Sequence, residues 1–187
     1  MNSEGSQWDR QIGAAISEAL RQNQLEDFKR LLQENPSYLL RDGKEKWMRS
    51  AALKGNLRAI QILIELGLDI NRPEHPPSHE LHEPEGPIVG AATHGHIDIV
   101  RWMLDHGAQV NFEFKGLKRC VPLVCAATNG HLDIVKLLVE RGADIHATGG
   151  WANVTPITQA ALYGKQDVYD YLYSLGARDV RENTPPK

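Results

Sequence analysis

Four times the chain writes one phrase: Ala-Ala, two variable residues, Gly, a polar residue, an apolar residue, a helical stretch, and Gly again. The copies begin at Ala51-Ala52, Ala91-Ala92, Ala126-Ala127 and Ala160-Ala161. Their first glycines, Gly55, Gly95, Gly130 and Gly164, are spaced by 40, 35 and 34 residues, and the second glycines, Gly67, Gly107, Gly142 and Gly176, keep the same spacings. A period of this size marks one supersecondary unit that cannot bury its apolar faces alone. Stacking such units builds a continuous, quasi-one-dimensional core, not a single core wrapped around a catalytic cleft.

The cleanest copy, Pro122 to His146, reads PLVCAATNGHLDIVKLLVERGADIH. Pro122 suits the first turn of a helix, where its missing N–H costs nothing. Leu123, Ala126 and Ala127 supply one apolar face, small enough for a neighbouring unit to approach closely. Gly130 ends this helix, in a conformation that is cheap only for glycine. Leu132, Ile134, Val135, Leu137 and Leu138 then predict a second helix with a broad apolar stripe, and Lys136, Glu140 and Arg141 fall on its wet side. Gly142 caps that helix, and Ala143-Asp144-Ile145 leads into a turn. Helices this short are not stable in isolation.

Composition narrows the function classes. Apolar residues make up 41% of the chain, and 21 basic against 24 acidic residues leave a formal charge of −3. That balance gives no general attraction for nucleic acid. Two cysteines, Cys120 and Cys125, are neither a disulfide framework nor a zinc site; Cys125, beside the small alanines, reads as a buried free thiol. The opening stretch MNSEGSQWDRQ carries no secretory signal. No segment reaches the roughly 18 apolar residues of a membrane span, so the expected setting is a reducing cytoplasm. Enzymatic motifs (a G-x-S-x-G elbow, a phosphate loop, an H-E-x-x-H) are missing. His96 and His131 recur at one position of the unit, which points to a structural role and away from catalysis.

The unit resembles the ankyrin repeat, whose motif runs Thr-Pro-Leu-His-x-Ala-Ala, Gly-His, a Leu-x-Ile-Val-like run and Gly-Ala-Asp-x-Asn. The matching stretches are Trp47 to Asn71, Pro87 to Asn111, Pro122 to His146 and Thr155 to Asp179, with Gly95-His96, Gly130-His131 and Gly142-Ala143-Asp144 carrying the match most closely. Thr155-Pro156-Ile157-Thr158 comes nearest to the opening tetrapeptide. The first copy has Trp47-Met48-Arg49 in place of Pro-Leu-His, and Val89 and Val124 stand at the His position of the next two. Trp47 therefore reads as core or edge packing, and Trp102 and Met103 as core.

A degenerate N-terminal unit is expected before these. Ile12 to Leu20 reads as a helix, Arg21-Gln22-Asn23 as a turn, and Leu25, Phe28, Leu31 and Leu32 as the stripe of a second helix ending near Asn35-Pro36. Its polar side, with Glu18, Arg21, Gln24, Asp27 and Arg30, suits a cap. At the far end, Tyr169, Tyr171 and Tyr173 replace Val135, Leu137 and Val139. Their rings can be buried while their hydroxyls stay wet.

The resemblance implies an all-α ankyrin repeat solenoid of paired antiparallel helices with short hairpin-like turns, about five repeats including the cap. The expected organisation is a flexible stretch over 1–10, one domain over 11–180 (cap 11–40, repeats 41–71, 72–111, 112–146 and 147–180) and a polar tail over 181–187. It also implies a non-catalytic, cofactor-free module that binds a protein partner on its concave face. The positions that carry over are the turns before each first helix and the residues after Ala-Ala: Lys44, Lys46, Lys54, His94, Phe112, Phe114, Lys118, Arg119, Asn129, Trp151, Asn153 and Tyr163. Aromatic and arginine anchors dominate protein interfaces, and the local lysines and arginine suggest an acidic patch on the partner. Phe112 and Phe114 share one side of an extended segment, as anchors or packed back on the turn. A toxin-neutralising immunity protein blocking a cognate toxin is one alternative. A nucleic-acid binder using these lysines and aromatics is another, opposed by the net charge. The stretched spacing places RPEHPPSHELHEPE at residues 72–85, an exposed proline-rich excursion. Its His75, His79 and His82 beside carboxylates lack a helix to arrange them as metal ligands, so no metal site is assigned.

Overall fold

The computed structural model describes residues 3–40, 46–71, 87–114, 117–119, 121–148 and 154–179 of the chain. Lys44, Trp151, Asn153, Cys120, the excursion at 72–85 and the tail at 181–187 lie outside the described residues. Lys46, Phe112, Phe114, Lys118 and Arg119 are described through their backbone.

Helices come in consecutive pairs: α1 (Ser3–Arg21) with α2 (Leu25–Glu34), α4 (Lys46–Leu53) with α5 (Leu57–Glu65), α6 (Pro87–His94) with α7 (Ile97–Asp105), α8 (Val121–Asn129) with α9 (Leu132–Glu140), and α10 (Pro156–Leu162) with α11 (Gln166–Ser174). A single turn, α3 (Ser37–Leu40), follows the first pair. The first helix begins well before the Ile12 start that apolar periodicity indicates. Inner helices α4, α6, α8 and α10 pack side by side in chain order, and each also packs on its own outer helix. This is an all-α solenoid of paired helices. Between α7 and α8 a small antiparallel hairpin pairs β1 (Phe112–Phe114) with β2 (Leu117–Arg119), Glu113 opposite Lys118.

The glycine phrase sets this geometry. Gly55, Gly95, Gly130 and Gly164 all adopt positive φ between the two helices of a unit, and Gly67, Gly107, Gly142 and Gly176 do so after the second helix. Asn23 takes the same left-handed conformation at φ 57, the one non-glycine to do so among the described residues. Asparagine tolerates that region better than other L-residues, which is how the N-terminal hairpin turns without glycine. Thr155 is the one opening threonine of its kind. It caps α10, its hydroxyl meets that of Thr158 at 2.9 Å, and Thr158 in turn donates to buried Asp179 at 3.1 Å.

The joints between units explain why histidine follows glycine. His96 Nε2 donates to the Leu53 carbonyl of the preceding unit at 3.0 Å, and His131 Nε2 donates to the Thr93 carbonyl at 3.1 Å. Each ring covers the preceding unit's turn glycine so closely that a Cβ on Gly55 or Gly95 would lie 2.9 Å from an imidazole carbon. The recurrent histidines therefore join units, as their repetition predicts. At the other edge Asn71 and Asn111 bridge forward. Each donates to the carbonyl of the next unit's exit glycine (Gly107 at 2.8 Å, Gly142 at 2.7 Å) and accepts from the backbone N–H of Gln109 or Asp144. Paired this way, inter-unit polar groups escape the desolvation cost of being left unmet.

One continuous apolar core runs through all the pairs, from Ile16 and Phe28 through Ile60, Val100 and Leu123 to Leu172. Alanines of the repeated phrase lie inside it, with Ala51, Ala52, Ala91, Ala92, Ala126, Ala127 and Ala160 fully buried. Trp47 is buried, edge-on to Phe28 with ring centroids 6.5 Å apart. Met103 is fully buried. Trp102 is half-buried, and its ring stacks on His106 at 3.8 Å, so it belongs to the core's margin and not its centre. Cys125 is half-buried against the core, not buried as its alanine neighbours suggest.

Candidate partner-binding surface

The residues after each Ala-Ala pair divide into two files. Leu53 lies against Gly90 of the next inner helix, with its Cδ2 at 3.4 Å from a Cβ built there. Thr93 and Thr128 turn their hydroxyls back to the Val89 and Val124 carbonyls at 2.7 and 2.8 Å. Thr128 also reaches Gln159 of the next unit at 3.4 Å. This first file is joint. The second file is surface: Lys54, His94, Asn129 and Tyr163 are all exposed, Tyr163 at 57%. One position of the unit, copied at each inner helix, thus makes a row of outward side chains along the array.

Two members of the row are held by their own helix. His94 Nδ1 lies 3.2 Å from the Gly90 carbonyl, and Asn129 Nδ2 donates to the Cys125 carbonyl at 2.9 Å. Such i−4 contacts fix the orientation of the side chain and lower the ordering cost of recognition. The His94 ring also runs parallel to His96, with centroids 6.4 Å apart. Tyr163 follows the last turn of α10 as its C-cap residue. Lys54 opens the row beside a shallow cleft of about 340 Å³ lined by Leu20, Arg21, Asn23, Gly55, Asn56 and Leu57. Arg21 there is engaged by Glu18, whose carboxyl is held below its usual range first by the Arg21 hydrogen bond and, less strongly, by the charge of Lys54. At this joint Asn56 stands where the next two joints have histidine and the last has Lys165. Its amide donates to the Asn23 side chain at 2.7 Å and leaves unfilled the space that an imidazole covers at Gly55 and Gly95.

Of the twelve positions carried over from sequence, four are therefore brought into one row. Phe112, Phe114, Lys118 and Arg119 share the β1–β2 hairpin by their backbone. Among the described residues no group of three or more His, Cys, Asp or Glu could hold a metal ion. No described helix is long and apolar enough to cross a membrane. The split into joint and surface had a signal in the text, since the second residue is polar in three copies (Lys54, His94, Asn129) and the first is not charged in any.

Comparison with known families gives one match. The family model described as "Ankyrin repeats (3 copies)" fits residues 48–149 and again 88–184. No curated protein matches the chain.

Proposed function

The chain belongs to the ankyrin repeat family, and from that premise we propose that it grips a protein partner along the exposed row of its inner helices and the turns that precede them. Ankyrin repeats are protein-interaction modules and non-catalytic scaffolds, and this chain is one of them. The observation that carries the finer reading is the row itself: Lys54, His94, Asn129 and Tyr163 occupy one unit position, all stand exposed, and two are pre-oriented by their own helices. With the N-terminal hairpin counted as a cap, five helix pairs stand among the described residues, and the row runs over the last four.

Lys54 at one end, with Lys44, Lys46, Lys118 and Arg119 from the turns, favours a partner with an acidic patch, and Tyr163 at the other end is an anchor of the type that dominates interfaces. A toxin blocked by occlusion is one partner class that such a surface serves.

The test is affinity of the captured partner for point variants. Tyr163→Ala and Lys54→Glu are expected to weaken binding by about tenfold or more each, while Arg101→Ala, exposed on outer helix α7, leaves it unchanged. The Lys54 effect should shrink at high salt. Phe114→Ala with Trp151→Ala examines the turns in the same assay. Full affinity in both row variants, or loss only with Arg101→Ala, would show that the inner row is not the binding surface. For a toxin partner the same variants would also lose neutralisation.

A further inference from the structure

Every large hydrophobic side chain that stands exposed among the described residues lies in the last unit: Leu162 at 60%, Tyr163 at 57%, Tyr173 at 45% and Leu175 at 44%. A terminal unit that ends a solenoid in water needs a polar outer face, and this one mixes those apolar side chains with exposed Gln166, Asp167, Asp170 and Arg178. Part of its surface is an unused joint. Ala161, Leu162 and Gly164 occupy the positions of Ala52, Leu53 and Gly55, which receive the next inner helix at Gly90 and the ring of His96. At Gly164 nothing lies within 4 Å of a built Cβ. On the outer helix, Tyr169 takes the position of Ile60, Val100 and Val135, all fully buried, yet Tyr169 is only half-buried. It stacks on Tyr173 with centroids 5.9 Å apart, and beside it opens a cleft of about 220 Å³ reaching Ala160, Lys165 and Asp179.

The opposite end of the array is finished differently. Glu18 and Gln24 stand there at the unit positions of Gly90 and His96. Gln24, Asp27 and Arg30 are exposed, and Arg30 pairs with Asp27 at 2.6 Å. Stacking the tail of one molecule on the head of another would press Leu162 against Glu18. Tail against tail instead matches apolar with apolar. The last unit's exposed charges are also mixed, Arg178 against Asp167 and Asp170, so two copies related by a twofold can oppose unlike signs where a one-signed face would repel its copy.

We infer that the chain self-associates tail to tail, as an isologous dimer in which Leu162, Tyr169 and Tyr173 of the two copies close each other's open joint. Each copy supplies the helical hairpin that the other lacks, and the core continues across the twofold axis.

Sedimentation equilibrium of the full chain, from low micromolar to near-millimolar concentration, tests this without any other partner. The expected result is twice the chain mass at the upper end. Leu162→Glu should return the protein to the chain mass with unchanged helical circular dichroism and, at low micromolar concentration, an unchanged thermal midpoint, since the side chain is exposed in the monomer. Tyr173→Glu serves as a second variant, and Lys54→Glu, at the far end of the row, should remain dimeric. A wild-type chain that stays at monomer mass throughout overturns the inference, and a fall in its thermal midpoint on Leu162→Glu would then show that the chain covers its own end. A dimer that survives both Leu162→Glu and Tyr173→Glu overturns it as well.

Discussion

Gly95 and Gly107 have nearly the same backbone, φ 79 and φ 90, but different surroundings. An added Cβ at Gly107 meets nothing within 4 Å, whereas at Gly95 it would press on the His131 ring. Gly107→Ala should therefore cost only left-handed strain, about 1–2 kcal/mol. Gly95→Ala should cost roughly 2–4 kcal/mol, because crowding adds to that strain. Denaturant midpoints measure both, and a Gly95→Ala, His131→Ala cycle should show coupling that the Gly107 site does not. Trp47 gives a second prediction at this scale. Its indole N–H is buried and finds no acceptor among the described residues. Trp47→Phe removes that orphan along with modest volume, so it should cost less than about 1.5 kcal/mol, against about 3–5 kcal/mol for Trp47→Ala. If the two cost the same, the N–H is satisfied. Both glycines are legible in the sequence as turn formers. Only packing separates them, since the ring over Gly95 arrives from 36 residues further along the chain.

At the scale of the element, the helices were readable and their joins less so. Apolar spacing predicts α5, α7, α9 and α11 because each buries one stripe on its neighbours. It misses the true start of α1, because a polar first turn carries no periodic signal. The first joint shows what local reading misses. Asn56 is both N-cap, accepting from Ala59 N–H at 3.0 Å, and inter-unit donor to Asn23. Asn56→Ala should cost about 1 kcal/mol from the cap alone, with loss concentrated in the N-terminal hairpin by hydrogen exchange. Across the same pair of units, Glu65 accepts from Lys29 at 3.0 Å and from Arg58 at 2.9 Å. The Lys29 hydrogen bond first, then that of Arg58, hold its carboxyl below the usual carboxylate range. A lowered folded pKa means stability that is present above the ordinary carboxylate pKa and lost as pH falls through the depressed one. The difference in thermal midpoint between wild type and Glu65→Gln should thus be small at neutral pH, reduced by salt, and vanish in acid.

For the whole molecule, nearest-neighbour stacking means that each unit is held by the units beside it. Amide exchange should be slowest in α6 and α8, which have inner-helix neighbours on both sides. It should quicken towards α1 and α11, with α11 gaining protection as concentration rises if the tails pair. Uniform protection along the array would contradict this picture. The solenoid itself was legible from the sequence: glycine spacing, buried alanine pairs and apolar stripes are set by local geometry, and their repetition leaves one way to bury them. Ankyrin kinship was legible in the same pattern as a resemblance, and the interaction role comes with that family. What the sequence could not separate is Leu53 from Leu162, the same residue at the same place in the phrase, one covered by Gly90 and the other bare. His96 and His94 did separate in the sequence, since His96 recurs as His131 and His94 does not; the fold adds what His96 binds, the Leu53 carbonyl of the preceding unit. Burial depends on what stacks against a position, and that neighbour is a property of the assembled array and not of the residue.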